Sequence, residues 1–412
     1  MHLSPLGDDC GVASREPSQG MGFPAETPIV ASARIASMLS LSGLSGQVRS
    51  RGSRVLAAPG EDAAAGAWKV PYTRAPWRAP RSSIAVKKFR SILVSLGVVA
   101  AIVAATIFAF GAHVSSASAA APDVFNGKIM HARGASNPSV TNSLLSYHGG
   151  PISTAPHVYI NYWGSKWATG FSTGGYTSAQ AQTYVNGFFS GIGGSPWGAI
   201  DTQYCQGVAT GATSCPAGSA FVGNQSGLLA GTWNDTTSIP KHITQSSIAS
   251  AATRLMQHFG YDANAIYFVF TPSGQSMSGF GTQWCAWHTN TSTSSGNIAY
   301  AYQPYSPDAG TSCGMNFVNG TNNSFGNGYF DGFSITGGHE WAEAETDMWP
   351  GTSIAWQGPG GGSDENGDKC AWNQNGGVST NITLGSNFYA VQPIWSNNST
   401  TSSGSHCVTS HT

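Results

Sequence analysis

The sequence predicts an α+β fold: a mixed sheet with helices, built as one disulfide-bonded, loop-rich domain. Three observations carry that expectation. β-Branched and aromatic runs are interleaved with helical periods, without the regular strand–helix rhythm of a doubly wound sheet. Gly, Ser, Thr and Asn crowd the intervening segments, yet aromatic residues make up 11% of the chain, too many for a disordered one. Six of the seven cysteines lie from Cys205 onward, an even set of the kind exported proteins oxidise to disulfides.

The 412 residues divide by composition. Residues 1–85 are rich in Pro, Ala, Ser and Arg, show no sustained period, and read as an upstream extension, disordered or lying ahead of the true start. Next come the basic run Val86-Lys87-Lys88-Phe89-Arg90, an apolar run over 92–112 and Ala117-Ser118-Ala119. These are the three parts of a signal peptide over 86–119, with cleavage before Ala120. No Met stands between Met38 and Met130, and a non-AUG start at Val86 would place this leader at the N-terminus. The alternative is a membrane anchor, since the apolar run is long enough to span a bilayer. Residues 120–412 are then the exported domain. Its basic residues are Lys128, Arg133, Lys166, Lys241, Arg254 and Lys369, against thirteen acids, eight of them between Asp331 and Asp368. So few cations leave little to neutralise phosphates, which sets nucleic acid aside as a partner.

Within that domain the elements follow from local pattern. His157-Val158-Tyr159-Ile160-Asn161-Tyr162-Trp163, inside 153–163, reads as a strand. Residues 177–189 read as a helix, and so do 246–259, where Ile248, Ala251, Leu255 and Phe259 recur near helical spacing. Short apolar strands are expected at 265–270 and 297–302. A third helix covers 335–347 and is stopped by Pro350. Residues 387–395 read as a late strand, demoted to an edge by Pro393. Gly/Ser/Asn stretches at 272–282, 318–328, 357–367 and 396–405 are expected on the surface. Pairing each cysteine with its neighbour gives Cys205–Cys215, Cys285–Cys313 and Cys370–Cys407, one of fifteen connectivities open to six cysteines. The absence of any C-x-x-C spacing argues against thiolate metal binding.

The chemistry concentrates in the third helix, Gly338-His339-Glu340-Trp341-Ala342-Glu343-Ala344-Glu345-Thr346-Asp347. As H-E-x-x-E it differs from the zinc-peptidase pattern H-E-x-x-H in one ligand, making this a zincin-like helix. His339 and Glu343 lie about 40° apart on the helix surface and one turn along it, so they can hold one ion from the same face. Glu340 stands where a zinc peptidase carries its general base. Asp347, about 12 Å along the axis from His339, is too far to share that ion. The third ligand is expected from Asp364-Glu365-Asn366-Gly367-Asp368, as Glu365 or Asp368, leaving an open place for water. Zn²⁺ is the expected ion. A structural Ca²⁺ is the rival, because Asp364-x-Asn366-x-Asp368 is similar to half of a calcium loop, although its Gly is misplaced and its closing Glu is missing. The bland alternative is a solvated acidic helix face, but Glu343, Glu345 and Asp347 have no basic partner nearby and repel one another. In the turn Tyr147-His148-Gly149-Gly150-Pro151, His148 is a candidate to bind in the site or steady an oxyanion, against the commoner surface histidine. His288, beside Cys285 and Trp287, and His258 are weaker candidates.

Taken in order, these motifs resemble the exordium (phosphate-induced protein) family of secreted proteins, in its bacterial branch. The residues that carry the resemblance are Tyr147-His148-Gly149-Gly150-Pro151, Tyr267-Phe268-Val269-Phe270-Thr271 and Trp284-Cys285-Ala286-Trp287-His288. Gly338-His339-Glu340-Trp341-Ala342-Glu343, Glu365-Asn366-Gly367-Asp368-Lys369-Cys370 and the stretch from Phe388-Tyr389 to Trp395 complete them, spanning most of 145–410. Trp341, the glycine run at 358–362 and the 275–282 loop depart from the pattern. The resemblance implies an extracellular, cell-wall-associated protein and does not itself imply enzymatic activity. Two functions are therefore expected in competition. One is secreted, zinc-dependent peptide hydrolysis of a peptide or protein substrate, with water activated by Glu340. The other is a non-catalytic extracellular protein, bound to cell-wall material, whose metal is structural.

Overall fold

The computed structural model describes residues 125–137, 140–321 and 327–411. The upstream extension expected at 1–85 and the leader at 86–119 lie outside the described residues. In chain order the main elements are β1 (Lys128–His131), β2 (His157–Trp163), α1 (Ser178–Ile192), β3 (Leu229–Asp235), α2 (Gln245–Phe259) and β4 (Ala265–Phe270). They continue as β5 (Trp284–Thr293), β6 (Gly296–Gln303), α3 (Asn327–Thr346), β7 (Thr380–Leu384) and β8 (Asn387–Val391). An α+β fold with a mixed sheet is what these elements build. The central sheet runs β1-β5-β6-β4-β2-β3. β6, β4, β2 and β3 are mutually parallel, and β5 is antiparallel to both β6 and β1.

Period-two alternation in the central strands sorts the core into two layers. Ile266, Phe268 and Phe270 of β4 face α1 and α3, with Ala299 and Ala301 of β6 beside them. Ala265, Tyr267 and Val269 face the other way, with Ile298, Tyr300 and Tyr302, onto Ile248, Ala251, Leu255 and Met256 of α2. Strands buried on both faces need both helix layers to cover them.

Local chemistry starts the helices where expected. Thr177 caps α1 through a reciprocal box with Gln180, and Thr244 caps α2 with Ser247. Each cap contributes about 1 kcal/mol. By contrast, α3 begins at Asn327, well ahead of the expected Ile335. From Phe330 to Thr346 it is buried on every side, so no apolar stripe marks its start. Gly338 permits that burial: a Cβ there would lie 3.1 Å from Phe188 Cζ and 3.3 Å from Trp197 Cη2.

The expected late strand divides around Pro393 into β8 and the pair Ile394–Trp395, which bonds to Cys407–Val408. Neighbouring cysteines pair as expected: Cys205–Cys215, Cys285–Cys313 and Cys370–Cys407. Such bonds belong to a chain that folds in an oxidising compartment. Among the described residues no helix is long and apolar enough to cross a membrane. One surface loop is corrected: in 357–367, Asp364, Glu365 and Asn366 are fully buried, because this segment packs its acids under α3 rather than presenting them to water.

Candidate metal centre

α3 lies against β5 and the turn Asp368–Gly376, and the three meet at one buried cluster. His339 and Glu343 stand one helical turn apart, with His339 Nε2 3.0 Å from Glu343 Oε1. Asp368 joins them from the following segment, its Oδ1 3.7 Å from His339 Nε2. These three side chains can place one ligand atom each around a single ion. All are buried.

The backbone of the turn locks this geometry. Asp368 N–H donates to Glu343 Oε1 at 2.8 Å, which aims the carboxylate. Gly367 must be small: a Cβ there would sit 2.8 Å from His339 Nδ1 and 2.9 Å from Glu343 Oε1. Gln392 fixes the imidazole. Its amide nitrogen donates to Gly367 O at 2.8 Å, so its oxygen faces His339 Nδ1 at 3.2 Å and accepts that proton. The lone pair of His339 Nε2 is then turned toward two carboxylate oxygens. Acceptors facing acceptors in a dry site need a cation between them. In the metal-free chain a proton fills that role: burial pulls the His339 pKa down, but Glu343, Glu340 and Asp368 overcome it and push it up to about 10. Asp368 Oδ1, which has no donor, makes the same demand. The donor set of one imidazole and two carboxylates suits a divalent cation.

Glu340 flanks this group without entering it. Its Oε2 is 3.0 Å from His288 Nδ1, and its Oε1 lacks a full hydrogen bond. Burial, opposed by His339 and reinforced by Glu343 and Asp368, holds its pKa well above the ordinary carboxylate range. His288 sits on β5, fully buried, with Glu343 Oε2 3.5 Å from Nδ1 and Glu365 Oε2 3.9 Å from Nε2. His288, Glu340 and Glu343 therefore form a second group that could hold a cation. Burial depresses the His288 pKa to about 3.

Asp368, not Glu365, stands with His339 and Glu343. Glu365 instead lies beside Asp347 and approaches His288. Asp347 is in neither group and accepts Ala355 N–H at 2.9 Å. His148 is not brought into the cluster. It is exposed, its ring pairs with Ser146 Oγ at 3.3 Å, and it lies by the turn over 350–354 rather than in the buried cluster. A glycine-flanked turn histidine is held by local geometry and need not point inward. Two residues of the expected half calcium loop are also engaged elsewhere. Asp364 is bound to Lys369, Thr141 and Gly360, and Asn366 donates to Asp201 and Ala342 O. Neither shares an ion with Asp368.

Sequence reasoning passed over Gln392 and gave His288 little weight. The alternation Cys285, Ala286, Trp287, His288 was the usable signal for the latter: in a strand it sends Trp287 to the α2 layer and His288 to the α3 layer. No family model, curated protein or solved structure compared with the chain matches it. The site's own chemistry must carry the functional reading.

Proposed function

We propose that this chain is an exported, zinc-dependent hydrolase of peptide bonds, with a zincin-like helix at its centre. The observation that carries the reading is the convergence of His339 Nε2, Glu343 Oε1 and Asp368 Oδ1, with an under-bonded Glu340 carboxylate beside them. A divalent cation held there supplies a Lewis acid for a carbonyl and lowers the pKa of water toward neutrality. The chain's residues do the rest. Glu340 takes a proton from water and returns it to the leaving nitrogen, and its raised pKa suits a group that must hold the proton between those steps. His288 Nδ1–H donates to Glu340 Oε2, which orients the carboxylate and leaves Oε1 to act. Gln392 keeps the lone pair of His339 Nε2 turned inward.

The second reading is an exordium-like extracellular protein with a structural metal. Full burial of every ligand favours it. Glu340→Gln separates the two. For the hydrolase, metal content stays and cleavage of a mixed peptide library falls about a hundredfold to ten-thousandfold. For the structural site, the variant matches wild type in every assay, and metal-loaded wild type cleaves nothing.

A further inference from the structure

The cluster is shut off from solvent, and one of the elements packed against its helix is short. β1 is the edge strand of the sheet, four residues long, paired antiparallel to β5 with Lys128 opposite His288. Met130 is fully buried and packs on Ile335 of α3, with Ala371 and Ala390 beside it. Its backbone N–H approaches the Glu340 carboxylate, whose Oε1 has no hydrogen-bond partner. Lys128 Nζ reaches across to Gly362 O at 2.7 Å, and Trp372 Nε1 holds His131 O at 2.7 Å. A main chain thus runs along the sheet edge and presents a peptide N–H to the candidate base.

No disulfide ties this segment down, since the bonded cysteines begin at Cys205. Beyond it, Gly134 is exposed, adopts φ 87°, and a Cβ there would meet nothing within 4 Å. The ladder part of this hold can pass to another extended chain, because ladder hydrogen bonds do not depend on sequence, while Phe125 on Trp287, Ala132 beside the Cys285–Cys313 bond and Arg133 over Phe317 are contacts particular to residues 125–137.

We propose that β1 is an internal occupant of a peptide groove: the edge of β5 takes an extended polypeptide antiparallel to it, across Glu340, and residues 125–137 fill that place until displaced. This rests on the hydrolase reading for its consequence, but not for its geometry. It names the substrate class, an extended peptide bound through its backbone with an unbranched apolar side chain at the position of Met130.

The test uses the metal-loaded chain with a specific-protease recognition sequence inserted after Gly134. After cutting and exchange into buffer, a fluorescent synthetic peptide of residues 125–137 is titrated and followed by anisotropy. The cut chain should bind it saturably and the uncut chain should not. The same peptide, N-methylated at the Met130 nitrogen, should bind about tenfold more weakly, since it lacks the N–H that faces Glu340. Equal binding of the two peptides, no binding to the cut chain, or loss of its thermal transition on cutting would each overturn the proposal, making β1 an ordinary structural strand. Hydrolysis of added peptides, appearing only after the cut, tests the other reading separately. Selective binding without hydrolysis keeps the groove and removes the hydrolase.

Discussion

Gln392 and Gly367 decide whether His339 can serve as a ligand, though neither touches an ion. Replacing Gln392 with Leu removes the acceptor that holds His339 Nδ1. The expected result is a loss of metal affinity of about tenfold to a hundredfold, read by competition with a chromophoric chelator. Gly367 has φ −74° and ψ −47°, a conformation that alanine adopts freely. Gly367→Ala should therefore keep the backbone yet press on His339 and Glu343, weakening metal retention with little change in the far-UV circular dichroism. Asp368→Asn should lose metal while Glu365→Gln keeps most of it; the reverse order would move the third ligand to Glu365. His339, Glu340 and Glu343 were legible because helical spacing alone puts the first and third on one face. The choice between Asp368 and Glu365 was not, because it depends on how a tight turn of unusual dihedrals presents its side chains. Gln392 carries no sequence mark at all: an amide that orients a ligand resembles any other amide.

Among the elements, those with a clean period were readable and those shaped by the site were not. β4 and the two capped helices announce themselves through apolar runs and Thr-x-x-Gln or Thr-x-x-Ser starts. β5 hides because three consecutive polar residues, His288, Thr289 and Asn290, are buried on its two faces and interrupt any apolar run. β1 is too short to show a period, and β3 alternates half-buried with exposed positions at the opposite edge of the sheet. The turn after α3 is tied to the C-terminal strand pair by Cys370–Cys407, which closes 37 residues of sequence. Chain-entropy arguments give such a loop about 4 kcal/mol, against about 3 kcal/mol for the 10-residue Cys205–Cys215 loop. Replacing Cys370 and Cys407 with Ala should lower both the melting temperature and the metal content. Replacing Cys205 and Cys215 should lower the first and spare the second, because Asp368 lies next to the former pair only.

At the scale of the whole molecule, the buried acids set a pH dependence. Burial pushes the Asp201 and Asp347 carboxyls up to about 7 from an ordinary 3.8. A carboxyl with a raised folded pKa binds its proton more tightly in the folded chain than in the unfolded one. It favours the fold at acid pH, and the advantage fades as pH climbs from about 4 through about 7. Glu340, Glu365 and Asp368, raised further by burial and by one another, extend the same trend. The chelated chain should therefore melt lower at about pH 8 than at about pH 5. With the cation in place the decline should shrink, because the ion takes over the neutralisation that protons supply in its absence. Equal slopes with and without metal would separate the acids from the ion.

Elemental analysis of the purified chain, dialysed against metal-free buffer near neutral pH, tests the centre most directly. Wild type should carry close to one zinc per chain, and His339→Ala and Glu343→Ala should each carry a small fraction of that while remaining folded. Wild type free of divalent metal after growth with zinc, or His339→Ala with its full complement, would contradict the centre and the hydrolysis built on it.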